Sequence, residues 1–451
     1  MIGKLLYIDP GTGSMLFSII IGIAGVLIFA GHALLIRLKF FFLGGRSKDT
    51  DGSRMPVCVF SEGKRYWNIF KPVLDEFEKR GKDIYYLTAS PDDPALKADY
   101  KYVHAEFIGE GNKAISKMNL IKADLVLSTT PSLDVFQWKR SKGVSCYVHI
   151  PHMPNDITTY KMFGLDFYDA VLVSGNYQKE QIRRIEKIRS IPGKEIVLTG
   201  IPYLDTMKER LDRLPHEDHS GRDKTILLAP SWGNNGILTR YGASFIESLI
   251  KTSYKVIIRP HPQSFTSEKE LIDKLMAQFP ESDKLKWNRD PDNFNVLNEA
   301  DILISDFSGV IFDFALVFNK PVIYTEPSND WSQYDCCWDT EELWTYKILP
   351  KIGRKLTSEN FGNIGALIDD CISGSGASEL AKGRDLAREQ TWCNMGKGAE
   401  KTADYLIKKH GEIVSKTAAA SANSKGSKGT KGSKGTEDQP PRRKSKKSLF
   451  A

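Results

Sequence analysis

From Pro56 onward, short apolar runs recur at crossover spacing, and several run straight into polar or glycine-rich residues. Val57–Phe60, Asp83–Thr88, Leu125–Leu127, Cys146–Val148, Ala170–Val173 and Ile196–Leu198 form the first series. Between the first two, Phe70, Val73, Leu74 and Phe77 fall at helical spacing, and Gly81 closes that helix. Apolar runs without polar alternation, joined by segments long enough to cross over, specify a parallel sheet covered on both faces.

The polar stretch Arg213–Lys224 interrupts this rhythm, and a second series follows it. Thr225–Pro230, Lys255–Ile258, Asp301–Ile304 and Pro321–Tyr324 are its strands, with helical patterns near 357–376 and 396–409. The expected fold class is α/β: two doubly wound domains facing a cleft, an acceptor-side domain at 56–212 and a nucleotide-binding domain at 225–415, joined by the linker 213–224. A chain of 451 residues suits two cores of ordinary size. His216 and His219 have metal-ligand identities but no further close ligands, so they read as linker. No G-x-x-x-x-G-K-[ST] loop occurs, which argues against ATP hydrolysis. No cofactor or metal is expected.

Met15–Ile36 carries no charged side chain, and its 22 residues as a helix reach about 33 Å, enough for a bilayer core. Arg37, Lys39, Arg46 and Lys48 follow it, which predicts one transmembrane helix with the body in the cytoplasm. Residues 1–14 then form a short exoplasmic N-terminus and 37–55 a juxtamembrane linker. The formal net charge of +7 is concentrated at the other end: residues 416–451 hold ten Lys/Arg against Glu437 and Asp438. This basic tail reads as disordered, either holding the chain against an anionic leaflet or merely solvated. The remaining body is near neutral, which argues against a nucleic-acid partner. Six cysteines without a C-x-x-C pair suit a reducing compartment.

Four strand ends carry candidate chemistry. In Tyr147–Asp156, two prolines fix the strand exit and His152 projects at its end. An imidazole there can take a proton from an attacking hydroxyl at neutral pH. His152 reads equally as a base or as a structural residue, Asp156 as a group orienting it or binding an acceptor, and His149 as structural. Arg259-Pro260-His261-Pro262 sets a fixed cation and a directed donor at another strand end, suited to a diphosphate. In Ser305-Asp306-Phe307-Ser308-Gly309, Ser308 is a natural N-cap and Gly309 permits close backbone approach to an anion at a helix start. Ser231, within Ala229–Gly236, belongs to a possible nucleotide-side loop, although Gly and Asn there also make ordinary turns.

The order of these motifs resembles the CDP-glycerol glycerophosphotransferases, the polymerases and primases of teichoic acid synthesis. The resemblance covers roughly Cys146 to Tyr324. Gly200-Ile-Pro202-Tyr-Leu-Asp205 is similar to the family's G-x-P-x-x-D, Leu228–Trp232 to its apolar-A-P-T-[FW], and Arg259–Pro262 to its R-x-H-P. Ser305–Ser308 with Phe312-Asp313 resembles S-D-Y-S-S-x-x-F-D. The resemblance implies a GT-B-like fold and transfer of glycerol phosphate from CDP-glycerol to a lipid-linked or polymeric acceptor, which the apolar segment would place at the membrane. It implies His152 as the base, with His261, Ser305 and Ser308 stabilising the CMP leaving group. Two positions depart from the family: Pro151–Pro154 replaces W-H-G-T, and Gly233 replaces an arginine. A UDP-sugar glycosyltransferase or epimerase, or a non-catalytic nucleotide-binding scaffold, is the competing reading.

Overall fold

Apolar runs this short cannot satisfy their own backbone, so they must pair laterally. The computed structural model describes residues 54–215, 221–306, 308–325 and 330–426, with Gly31. Among these residues the runs form two wholly parallel sheets. The first contains β1 Met55–Ser61, β2 Ile84–Thr88, β3 Val103–Phe107, β4 Ala123–Ser128, β5 Val144–His149, β6 Ala170–Val173 and β7 Glu195–Leu198. Its order is β3-β2-β1-β4-β5-β6-β7. The second contains β8 Thr225–Leu228, β9 Lys255–Ile258, β10 Leu285–Trp287, β11 Ile302–Ser305, β12 Val322–Tyr324 and β13 Gly353–Lys355, ordered β10-β9-β8-β11-β12-β13.

Both faces of the central strands are buried, which explains why these runs lack alternation. Val57 and Val59 pack with Phe70, Leu74 and Leu406, whereas Cys58 and Phe60 pack on the opposite face with Met118, Trp138 and Tyr147. Strand order reverses between β1 and β4 and again between β8 and β11. In doubly wound sheets the crevice for a ligand opens at the carboxyl ends of such neighbours.

Three strands were not anticipated. β3 (Val-His-Ala-Glu-Phe), β10 (Leu-Lys-Trp) and β13 (Gly-Arg-Lys) are edge strands, where one side needs no apolar cover. The C-terminal boundary also differs. Helix Gly398–Gly426 continues past Lys416, where the tail was expected to begin, through the helix-favouring run Ala418–Ala420.

That helix leaves the second sheet and returns to the first. Its Ala403 and Leu406 join the first core, Asp404 lies 2.8 Å from Arg80 Nη1, and His410 Nε2 lies 3.2 Å from Asp124. Asp205, the acidic end of G-x-P-x-x-D, secures the crossing by accepting from Trp392 Nε1, Gly396 N and Gly398 N, each at 2.7 Å. Gly200 has φ +91°, and a Cβ there would stand 2.2 Å from the Cys393 carbonyl oxygen. Both sheets accordingly fall within one compact unit, Met55–Ala451.

The expected span Met15–Ile36 lies outside the described residues except for Gly31, as do His216 and His219. Among the described residues, no helix is long and apolar enough to cross a membrane.

Candidate functional site

The loops after β8, β9 and β11 meet at the carboxyl edge of the second sheet. Ser305 is buried, and its hydroxyl donates to the Ala229 carbonyl at 2.6 Å, tying β11 to the exit of β8. The Asp306 carboxylate, 2% exposed, accepts from Ser231 N at 2.8 and 2.9 Å and from Ile237 N at 3.1 Å. Burial raises its pKa against these hydrogen bonds. Ser305 and Asp306 therefore stand behind the loop and shape it.

Glu268 fixes the outer part of that loop, accepting from Gly233 N at 3.0 Å and Thr239 Oγ1 at 2.8 Å. Gly233 has φ +91°, which disfavours the arginine the family carries at this position.

His261 Nδ1 accepts from Gln263 N at 3.1 Å, so the neutral ring carries its proton on Nε2 and can donate it. Burial is the largest influence on His261 and lowers its pKa, with Arg259 acting the same way and Glu268 opposing. Arg259 hydrogen-bonds Asn288 through its guanidinium. Helix Val310–Phe312 continues as the π-helical turn Asp313–Val317, and no side chain caps its start at Gly309. The expected Ser308 cap is thus not formed. Asp313 opens this turn, its carboxylate accepting from Tyr203 Oη at 3.2 Å, with burial pushing its pKa up to about 7.

A cavity of 360 Å³ opens here, lined by Ser231, His261, Ser308 and Gly309 of the second half. Arg259, Ser305 and Asp306 are outside its lining. Met153, Asn155 and Thr159 close it from the loop after β5. A Cβ on Gly309 would stand 3.0 Å from Met153 Sδ, so the helix start and this loop are in near contact.

His152 adjoins Met153. Its Nδ1 is 3.4 Å from Thr129 Oγ1, and its ring meets Tyr66 edge-on at 5.8 Å. Burial, reinforced by Arg65, lowers its pKa to about 4, so the ring is neutral at pH 7. Asp156 does not orient it. Its carboxylate accepts from Trp344 N at 2.6 Å and Thr345 N at 2.9 Å, capping helix Trp344–Ile352 from across the cleft, and also holds Gln181. His149 is fully buried, with Nε2 3.0 Å from Tyr160 Oη.

Burial lowers the His149 pKa to about 3. Its folded form rejects a proton that the unfolded chain accepts below about pH 6.5, so its contribution is complete above that pH and is lost progressively toward pH 3. By pH 5 this amounts to about 2 kcal/mol. His149→Gln should therefore lose less stability than wild type between pH 7 and 5 in urea titrations, and parallel losses would refute this assignment.

A larger hollow of 680 Å³ includes Arg222, Asp223, Thr225 and Lys255, at the amino ends of β8 and β9, away from the crevice edge. Among the described residues no group of three or more His, Cys, Asp or Glu is placed to hold a metal. Sequence reasoning missed Trp331, Tyr334, Thr345 and Leu349 in the cavity lining. No local motif marks them: Trp331 and Tyr334 lie in the segment after β12 and Thr345 and Leu349 on helix Trp344–Ile352, outside the four strand-end motifs.

Residues 150–338 match the family of CDP-glycerol:poly(glycerophosphate) glycerophosphotransferases. The match spans less than half of the chain. The matched stretch contains every candidate site residue, from His152 to Gly309. The chain is 26% identical over 180 residues to the minor teichoic acid biosynthesis protein GgaB of Bacillus subtilis (strain 168). That match takes in 34% of this chain and only 17% of the length of GgaB. Among solved structures, the wall teichoic acid polymerase TagF soaked with CDPG gives a TM-score of 0.51 at 14% identity, covering 86% of this chain and 99% of that one. UDP-GlcNAc 2-epimerase from Neisseria meningitidis, bound to UDP-GlcNAc, gives 0.52 at 14% identity, covering 78% and 99%. Identities this low carry the fold, which is GT-B-like.

Proposed function

We propose that this chain acts as a CDP-glycerol glycerophosphotransferase, moving glycerol phosphate from CDP-glycerol to a hydroxyl of a lipid-linked or polymeric cell-envelope acceptor and releasing CMP. One observation carries the reading: Ser231, His261, Ser308 and Gly309 surround a cavity that reaches Met153, the neighbour of His152. Nε2–H of His261 and the Ser308 hydroxyl at the helix start suit an anionic diphosphate. The acceptor oxygen attacks the glycerol-bearing phosphorus, the bond from that phosphorus to the CMP oxygen breaks, and the hydroxyl proton passes to His152. Charge growing on CMP is met by the donors of the second half.

The body works from the cytoplasmic face of the cell membrane in this reading, with Met15–Ile36 as the anchor and the basic tail against the leaflet. The uncharged length of the first and the charge of the second support this.

Thermal unfolding of the full chain in detergent tests the donor. CDP-glycerol at a hundredfold excess over its Kd should add about 2.7 kcal/mol of stability. Stabilisation by UDP-sugars and not by CDP-glycerol would transfer the site to the sugar-nucleotide enzymes.

A further inference from the structure

Residues 330–339 follow β12 in the second half, yet they fasten to the first. Tyr334 bridges Lys161 in antiparallel fashion, Met162 N donates to the Gln333 carbonyl at 3.0 Å, and Asp335 N donates to the Tyr160 carbonyl at 2.9 Å. The Asp335 carboxylate accepts from Phe163 N at 2.8 Å and Gly164 N at 3.2 Å. It also pairs with Arg189, which binds Asp166 at 2.8 Å and whose side chain is only 5% exposed. Farther along, Arg184 Nη2 lies 2.8 Å from Asp339. A ten-residue strap is thus latched across the cleft by a buried Arg189–Asp335 pair, and loss of Arg189 would leave the buried Asp335 carboxylate without its cation.

The strap delivers two aromatic rings to the cavity wall. Trp331 and Tyr334 both line it, with centroids 5.2 Å apart and planes at 80°. Trp331 Nε1 donates to Tyr346 Oη at 3.2 Å, which fixes the indole plane before any ligand arrives. In the donor reading above, phosphates are met by His261 and Ser308 of the same lining and gain nothing from indole. A flat heteroaromatic ring gains stacking area and displaces water from an apolar surface.

From this we infer that the strap forms the ring-binding wall for the donor's nucleobase, and that nucleotide affinity depends on the Arg189–Asp335 latch joining the two halves. This rests on the nucleotide-donor reading above. Trp331 and Tyr334 are binding residues in this account, and Asp335 is a positioning residue.

Calorimetric titration of the full chain with CDP and, separately, with inorganic pyrophosphate separates ring from phosphate recognition. Trp331→Leu should weaken CDP at least tenfold, equivalent to about 1.4 kcal/mol, while pyrophosphate binding stays within twofold of wild type. Asp335→Asn should produce the same ring-selective loss, whereas His261→Ala should weaken both ligands. Retained pyrophosphate binding shows that a variant is folded. Wild-type affinity for CDP in both Trp331→Leu and Asp335→Asn, or equal loss of CDP and pyrophosphate in both, would overturn the strap proposal and leave the donor reading intact. A wild-type chain that binds no nucleotide would remove both.

Discussion

His152→Ala should reduce CMP release from CDP-glycerol by a factor of about 10² to 10⁴, the usual contribution of a positioned general base. Donor affinity should change little, because His152 stands on the first half, while His261, Ser231 and Ser308 line the cavity from the second. The neutral ring, with a pKa near 4, is ready to accept a proton at pH 7 without prior deprotonation. It is a weak base in the resting site, so its usefulness rests on the hydroxyl becoming acidic as the oxygen–phosphorus bond forms. The acid limb of the rate profile should therefore fall below the pH 6.5 of an unperturbed imidazole. Single-turnover CMP release against pH measures both effects. Turnover in the alanine variant within threefold of wild type would remove His152 as the base.

Asp306→Ala should act through the loop and not through the reacting atoms. Its buried carboxylate holds the N–H groups of Ser231 and Ile237. Alanine would leave those donors unpaired where water enters with difficulty, a loss of about 3 kcal/mol. Urea denaturation reads that term. The same variant should lose stabilisation by CDP, since Ser231 would no longer be held at the cavity wall. Asp306→Asn keeps one acceptor oxygen and should fall between wild type and alanine on both scales. An alanine variant as stable as wild type would mean that this carboxylate does not organise the loop.

The central strands were legible because burial on both faces demands uninterrupted apolar residues, as in Val57–Phe60 and Ile302–Ile304. β10 and β13 were not, since an edge strand such as Gly353–Lys355 is defined by its partner's backbone more than by its own side chains. The same contrast holds at the site. His261 and Ser308 announce themselves because strand-end loops carry local signatures of proline, glycine and small polar residues. Ser305 and Asp306 belong to that signature too, yet their side chains turn inward to fasten the loop.

Asp156 shows the limit more clearly. It stands four residues from His152, which suggested a partnership, but its oxygens are consumed by Trp344 and Thr345, nearly two hundred residues away. Trp331 and Tyr334 were invisible for the same reason: a strap is specified by pairs such as Arg189 and Asp335 that only the folded chain brings together. The departure at Gly233 also gains a local explanation, since its left-handed backbone disfavours a side chain there.

The most direct measurement is a crystal structure of the full chain with CDP bound. The account predicts the two phosphates in the 360 Å³ cavity, within hydrogen-bonding distance of His261 Nε2 and of Ser308, with the cytosine against Trp331. Phosphates bound elsewhere, with the space between His261 and Ser308 left to solvent, would contradict it.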